Sequence, residues 1–292
     1  MRIGILTSGR LGYKVLSELH KQIDQSLLIA TDGRSETVIE EAKKNQIPLF
    51  IGNPRNGALE EFIKQHQMEL DLILSINYLF LLDDDLLGFL PLSINIHGSL
   101  LPKYRGRTPH VWAIINGETQ TGVTAHIIDS GCDTGDVVKQ QTVPIENYDT
   151  GAKILEKYEQ LYPNLLLSVI KDMQSGKLQR KKQDDSKATT FGRRTPDHGL
   201  INWCWHKERI RNWVRAQAYP YPGAFTWLKG RKVVIDEVTY SEIGFSDTTE
   251  NGTILQTGEI PIIKCPNGAI KLSTVRNKKI VKNFKNGLVL NQ

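Results

Sequence analysis

The chain has 292 residues, of which 39% are hydrophobic and 24% charged, and its formal net charge is +5. This is the composition of an ordinary water-soluble globular protein, long for one compact core and comfortable for two unequal domains. It excludes a membrane-spanning helix, because no run approaches the roughly 18 apolar residues that one requires. The opening MRIGILTSGRLGYKV enters a strand pattern directly and lacks the apolar stretch and small-residue cleavage site of a secretory signal. Cys132, Cys204 and Cys265 are too scattered for a disulfide framework or a CxxC metal pair, which suits a reducing, cytoplasmic setting. Cys132 reads as a small buried thiol in preference to a nucleophile.

In chain order, short β-branched runs alternate with amphipathic stretches. Residues 2–7, 26–30 and 70–76 read as buried strands, and residues 11–22, 36–45 and 58–66 carry apolar side chains at helical spacing between them. The alternation predicts an α/β fold: a Rossmann-like, mostly parallel sheet with helices on both faces. Residues 93–96, 122–128 and 137–143 add strands, and 151–173 read as a long closing helix. The composition then turns polar over 174–190, as in a linker or exposed loop. After a helical pattern at 203–216, short alternating runs at 224–228, 232–238, 252–255, 260–264 and 269–272 are separated by Gly- and Asn-containing turns. They predict a small β-rich, OB-like domain. The expected division is a catalytic domain over 1–175, a linker over 176–202 and the β-rich domain over 203–292.

The first strand runs into Thr7-Ser8-Gly9-Arg10-Leu11-Gly12. A glycine that opens a helix after a strand suits phosphate, because backbone amides converge there. The G-x-G-x-x-G spacing is missing, however, and Asp32 is the one acidic candidate for a ribose contact. A nicotinamide site is therefore disfavoured, and the turn is expected to present Ser8 and Arg10 to an anionic substrate. The tail beyond residue 260 has no acidic residue but includes Lys264, Lys271, Arg276, Lys278, Lys279, Lys282 and Lys285. It reads equally as a contact for a phosphate-bearing partner and as a solvated basic surface.

The chemistry concentrates between residues 93 and 136. Asn95 and His97 stand at i and i+2 of a strand, so both side chains share one face, at the carboxyl end where α/β sheets place their ligands. A lone histidine there is more often structural. Its pairing with asparagine, followed by a Gly- and Pro-rich loop, reads as a site, since two polar side chains on an apolar strand are costly unless satisfied. Asp133 lies in the turn Ser130-Gly-Cys-Asp-Thr-Gly135, which serves either as a tight turn alone or to bring a carboxylate to a histidine. His97, His110 and His126 are dispersed, without metal-ligand spacing, and no metal is expected.

These segments resemble the formyltransferase family that includes methionyl-tRNA formyltransferase, glycinamide ribonucleotide transformylase and the sugar N-formyltransferases. The resemblance rests on Ile94-Asn-Ile-His-Gly-Ser-Leu-Leu-Pro-Lys-Tyr-Arg-Gly106, Ile115-Asn-Gly-Glu118, Thr121-Gly-Val-Thr124 and Asp133-Thr-Gly135. It continues more weakly at Arg194-Thr-Pro-Asp-His-Gly-Leu-Ile-Asn-Trp203 and over residues 214–225. It implies transfer of a formyl group from N10-formyltetrahydrofolate to an amine. His97 then serves as general base, Asn95 as oxyanion donor and Asp133 as the group that orients His97. By the same resemblance the folate lies near Tyr78, Leu81, Leu82 and the backbone around Asp129. Plain core is an equal reading of residues 78–82.

The loop Lys103-Tyr-Arg-Gly-Arg-Thr-Pro-His-Val-Trp112 resembles that of enzymes acting on nucleotide-linked amino sugars. The expected acceptor is accordingly a dTDP- or UDP-linked amino-deoxysugar that feeds surface glycans. Arg10, Arg105 and Arg107 would grip its pyrophosphate, with Ser8, Ser99, Thr108 and His110 nearby and Tyr219 or Tyr221 stacked on the base. Surface ion pairs for the arginines and a junction turn at 219–223 are the competing readings. A methionyl-tRNA acceptor is the runner-up, and a formyltetrahydrofolate hydrolase is the rival in which water replaces the amine. A homodimer stays open.

Overall fold

The computed structural model describes residues 1–22 and 26–290. The first half contains β1 (Ile3–Thr7), α1 (Gly9–His20), β2 (Ser26–Thr31), α2 (Glu36–Lys44), β3 (Leu49–Ile51), α3 (Ala58–Gln65), β4 (Leu72–Ile76), α4 (Asp84–Phe89) and β5 (Ser93–His97). β6 (Arg105–Gly106), α5 (Pro109–Ile115), β7 (Gln120–Ile127), β8 (Val137–Pro144), α6 (Gly151–Gln174) and β9 (Thr190–Phe191) follow. The remainder is α7 (Lys207–Ala216), β10 (Ala224–Leu228), β11 (Arg231–Ser241), β12 (Ile254–Gln256), β13 (Ile262–Cys265), β14 (Gly268–Val275) and α8 (Lys278–Val281).

Two compact units emerge: Met1–Gly106, Thr121–Val143 and Glu156–Phe191 form one, and Arg107–Gln120, Pro144–Leu155 and Gly192–Gln292 the other. The first holds a sheet of order β3-β2-β1-β4-β5-β7-β8. β1 pairs in parallel with β2 and β4, as do β2 with β3 and β4 with β5, whereas β5 and β7 run antiparallel. β1 and β4 are buried along their whole length, as expected for strands covered on both faces. Leu6, Leu28, Ala30 and Ile73 join Leu59 and Ile63 of α3 and Leu86 of α4 in one apolar cluster. Ile3 and Ile5 alternate to the opposite face and are equally buried. α1 buries Leu11, Val15, Leu16 and Leu19, spaced along one helical stripe.

The predicted α/β architecture is therefore present, with elements that the sequence reading omitted. β3 and α4 have only three and six residues, too few to establish a period. α5 lies inside the Gly- and Pro-rich loop; Pro109 occupies its first turn, where the missing N–H costs nothing. The polar stretch after α6 is exposed in most residues, yet it returns to the sheet. Lys181 bridges Val137, and β9 pairs in parallel with β6.

The second unit carries an antiparallel sheet of order β10-β11-β14-β13-β12. Its core gathers Trp203, Ile210, Val214, Val233, Ile263, Ile270 and Phe284. The Trp203 indole N–H donates to Thr226 Oγ1 at 2.9 Å, which satisfies the one polar atom of a fully buried ring. α7 begins at Lys207, later than the predicted 203, because Trp203 belongs to the turn that enters this core. Among the described residues no helix is long and apolar enough to cross a membrane.

Candidate active site

β5 places Asn95 and His97 on one face, and the antiparallel register sets Asn95 opposite His126 and His97 opposite Thr124. Opposed residues in such a pair share a face, so His126 of β7 joins the site. Its Nδ1 lies 2.7 Å from the Ile127 carbonyl oxygen. A carbonyl only accepts, so Nδ1 carries the proton and Nε2 is left to accept. Asn95 Nδ2 donates to that Nε2 at 3.2 Å, which leaves the second amide hydrogen of Asn95 for a ligand.

His97 is 7% exposed. Its Nε2 lies 2.8 Å from the Tyr104 carbonyl oxygen, so Nε2–H is the donor and the lone pair of the neutral ring is on Nδ1. Nδ1 faces Asp133 Oδ2 at 3.5 Å, and Asp133 Oδ1 lies 3.5 Å from His126 Nε2. The carboxylate also accepts from the Gly106 backbone N–H at 2.8 Å. Burial pushes the His97 imidazole below its ordinary value, against the raising influence of Asp133 and the Tyr104 carbonyl. Burial alone would raise the Asp133 carboxyl. The two histidines and the Gly106 N–H outweigh it, and the group stays well below the usual carboxylate range. The site thus holds a neutral imidazole beside a carboxylate kept ionised, a pairing suited to proton transfer near neutrality.

The backbone around these groups is specialised. Tyr104 and Asp133 have positive φ values of 61° and 57°, a conformation uncommon for residues with a side chain and concentrated at functional sites. Gly98 follows His97 because a Cβ there would meet the Tyr158 ring at 2.7 Å. Tyr158 Oη donates to the Gly98 carbonyl at 2.8 Å, fixing the strand end that carries His97. Cys132 is exposed, contrary to its reading as a buried thiol. The loop that turns Asp133 inward leaves its neighbour outside.

A sequence model of the formyl transferase family matches residues 1–170, and that of the formyl transferase C-terminal domain matches residues 193–288. The chain belongs to the formyl transferase family. Its fold is also that of several solved structures. WlaRD, a sugar 3N-formyl transferase solved in the presence of dTDP and 5-N-formyl-THF, is 20% identical with a TM-score of 0.71, over 95% of this chain and 98% of that one. The N-formyltransferase from Helicobacter canadensis, in complex with folinic acid and dTDP-3-aminofucose, is 23% identical with a TM-score of 0.72, over 93% and 98%. HypX from Aquifex aeolicus, in complex with tetrahydrofolic acid, is 18% identical with a TM-score of 0.62, over 94% of this chain and 44% of that one. At these identities the likeness is one of fold.

In this formyl transferase the three residues expected to be catalytic converge. Sequence reasoning missed His126, although Thr124 and His126 repeat the i, i+2 polar alternation of Asn95 and His97. Of the expected folate contacts, Leu81 is 60% exposed. Leu82 and Tyr78 are half-buried against the cluster under α3 and α4. The Tyr78 hydroxyl is buried without a hydrogen-bond partner. Asp129 is exposed and its carboxylate accepts from Gly131 N and Thr134 Oγ1, shaping the loop that carries Asp133.

The expected acceptor contacts divide. Ser8 is buried as the N-cap of α1, and Arg10 extends into solvent with its Nε 4.0 Å from Glu159. Ser99 donates to the Lys103 carbonyl and is 1% exposed. Arg105, expected to grip phosphate, is instead 7% exposed and committed within the protein to Gln183 and Asp185. Arg107 and Thr108 are exposed. His110 Nε2 lies 2.9 Å from Tyr221 Oη, and burial raises the Tyr221 phenol to about 12. Tyr219 is 76% exposed.

Proposed function

We propose that this formyl transferase moves the formyl group of N10-formyltetrahydrofolate to the amine of a dTDP- or UDP-linked amino-deoxysugar. The observation that supports it most is the convergence of Asn95, His97 and Asp133 in a chain whose fold matches, nearly end to end, proteins described as sugar N-formyltransferases. The residues available for the donor fit a flat, partly polar ring. Leu81 and Leu82, in the loop between β4 and α4, offer apolar surface, and the buried Tyr78 hydroxyl lacks a partner. Asp129 and the backbone beside it supply polar edges.

In this reading the acceptor amine attacks the formyl carbon while the remaining Asn95 N–H donates to the developing oxyanion. Such a donor contributes about 10²–10³ in rate. The amine proton passes to His97 Nδ1, the nitrogen that the Tyr104 carbonyl leaves unprotonated. Asp133 stabilises the imidazolium that forms. As the carbon–N10 bond breaks, Nδ1 returns the proton to the leaving nitrogen, so the site ends in its starting state. Arg10 and Arg107, both exposed cations, are assigned to the acceptor's phosphates, with Ser8, Thr108, His110, Tyr219 and Tyr221 as further contacts.

The test supplies the protein with N10-formyltetrahydrofolate and a panel of nucleotide-linked amino sugars, with methionyl-tRNA and buffer as separate arms. Formylation of a sugar amine is expected. Formylation of methionyl-tRNA alone, or folate turnover without any amine, would replace the reading with the tRNA enzyme or the hydrolase.

A further inference from the structure

We infer that Gln183 is a positioning residue that locks the two loops of the catalytic site to each other, an inference that rests on the proposed roles of His97 and Asp133. Gln183 is 7% exposed although it lies in a polar segment whose neighbours are mostly exposed. Its side chain uses both ends. Nε2 donates to the Asp133 carbonyl at 2.9 Å and to the Gly135 carbonyl at 2.7 Å. Oε1 accepts from Arg105 Nε at 3.2 Å and Nη2 at 2.8 Å.

The two sets of bonds fall on the two loops that define His97. Arg105 is flanked by Tyr104, whose carbonyl fixes His97 Nε2, and by Gly106, whose N–H holds Asp133. Asp133 is one of the left-handed residues of the site, and Gln183 bonds to its own carbonyl and to that of Gly135 two residues on. A strained backbone of this kind persists only where its surroundings over-determine it. The same segment fastens the first loop at further points. Thr189 Oγ1 accepts from Tyr104 N at 2.9 Å, the Thr189 carbonyl accepts from Arg105 N at 2.8 Å, and Phe191 stacks on Tyr104 with ring centroids 5.1 Å apart. Residues 183–191 therefore act as a strap, with Gln183 as the one side chain that grips both loops.

Gln183→Glu and Gln183→Leu test the inference. Glutamate keeps a partner for Arg105 but offers oxygen lone pairs to two carbonyls, so the Asp133 loop is released while the strap stays attached. Leucine removes both attachments. The readouts are kcat and KM for donor and acceptor, thermal unfolding, and the His97 titration midpoint by NMR of labelled imidazole.

For Gln183→Glu we expect kcat to fall about 10- to 100-fold, as displacement of a positioned group by about 1 Å does, with both KM values within about threefold. The His97 midpoint moves further down as Asp133 withdraws. In the first loop, Thr189→Val lowers kcat and Thr189→Ser restores it. A Gln183→Glu enzyme with kcat within about twofold of the parent, or with an unchanged His97 midpoint, overturns the inference, as does a loss confined to KM. If the parent formylates none of the sugars, the acceptor reading fails on its own, and the His97 titration still decides the role of Gln183.

Discussion

His97 has one nitrogen fixed by a backbone carbonyl and the other turned toward a carboxylate, and this asymmetry sets its chemistry. Because burial lowers the imidazole below 6.5, the neutral base persists on the acidic side of that value. The acid limb of kcat/KM is therefore expected below pH 6.5, measured as a pH–rate profile. Asp133 raises His97, so Asp133→Asn should move that limb to still lower pH and reduce kcat; a limb moving upward contradicts the assignment. Asn95→Ala removes an oxyanion donor and is expected to lower kcat by about 10²–10³ while donor binding persists. Equal losses in kcat and donor affinity would reassign Asn95 to ground-state binding. Asn95 and His97 were legible from their two-residue spacing on an apolar strand. His126 was not, because its place opposite Asn95 depends on a cross-strand register that no local pattern encodes. Gln183 was hidden for the same reason: its partners Asp133 and Arg105 are 50 and 78 residues away. Arg105 has a type that suits phosphate, and its burial with Gln183 and Asp185 was not legible because those partners lie 78 and 80 residues away.

At the scale of elements, the strands and long helices of the first half followed their hydrophobic period, and the misses were short segments held by capping and tertiary contacts. α4 illustrates this: Asp83 accepts the Leu86 backbone N–H at 3.1 Å, and the helix it starts carries Leu86 into the apolar cluster. Asp83→Ala should destabilise the fold by about 1 kcal/mol in chemical denaturation. The end of β5 is constrained more tightly. A methyl group at position 98 meets the Tyr158 ring at 2.7 Å, and over-packing of this kind costs about 1–3 kcal/mol. Gly98→Ala should lower the unfolding midpoint, and pairing it with Tyr158→Ala should recover part of the loss if steric conflict is the cause. An additive double variant would exclude that cause. The strap over residues 183–191 has too polar a composition to announce its place. What holds it is the β6–β9 backbone pairing, the Phe191–Tyr104 stack and side-chain hydrogen bonds to loops distant in sequence.

At the scale of the molecule, the chain combines an α/β unit that carries Asn95, His97 and Asp133 with a unit built on an antiparallel sheet. The core of the second unit centres on Trp203, whose truncation to alanine should cost about 3–5 kcal/mol and should appear in denaturant unfolding followed by far-UV circular dichroism. The fold and the formyl transferase family follow from the whole chain, whereas the proposed acceptor contacts, Arg10, Arg107 and the residues around Tyr221, are scattered side chains that no periodic pattern marks. The most direct test is mass spectrometry of dTDP- and UDP-linked amino-deoxysugars incubated with the protein and N10-formyltetrahydrofolate. The account predicts that one sugar gains a single formyl group on its amine, with matching release of tetrahydrofolate, and that His97→Ala abolishes the product. Sugars unchanged while methionyl-tRNA is formylated, or product formed undiminished by His97→Ala, would contradict it.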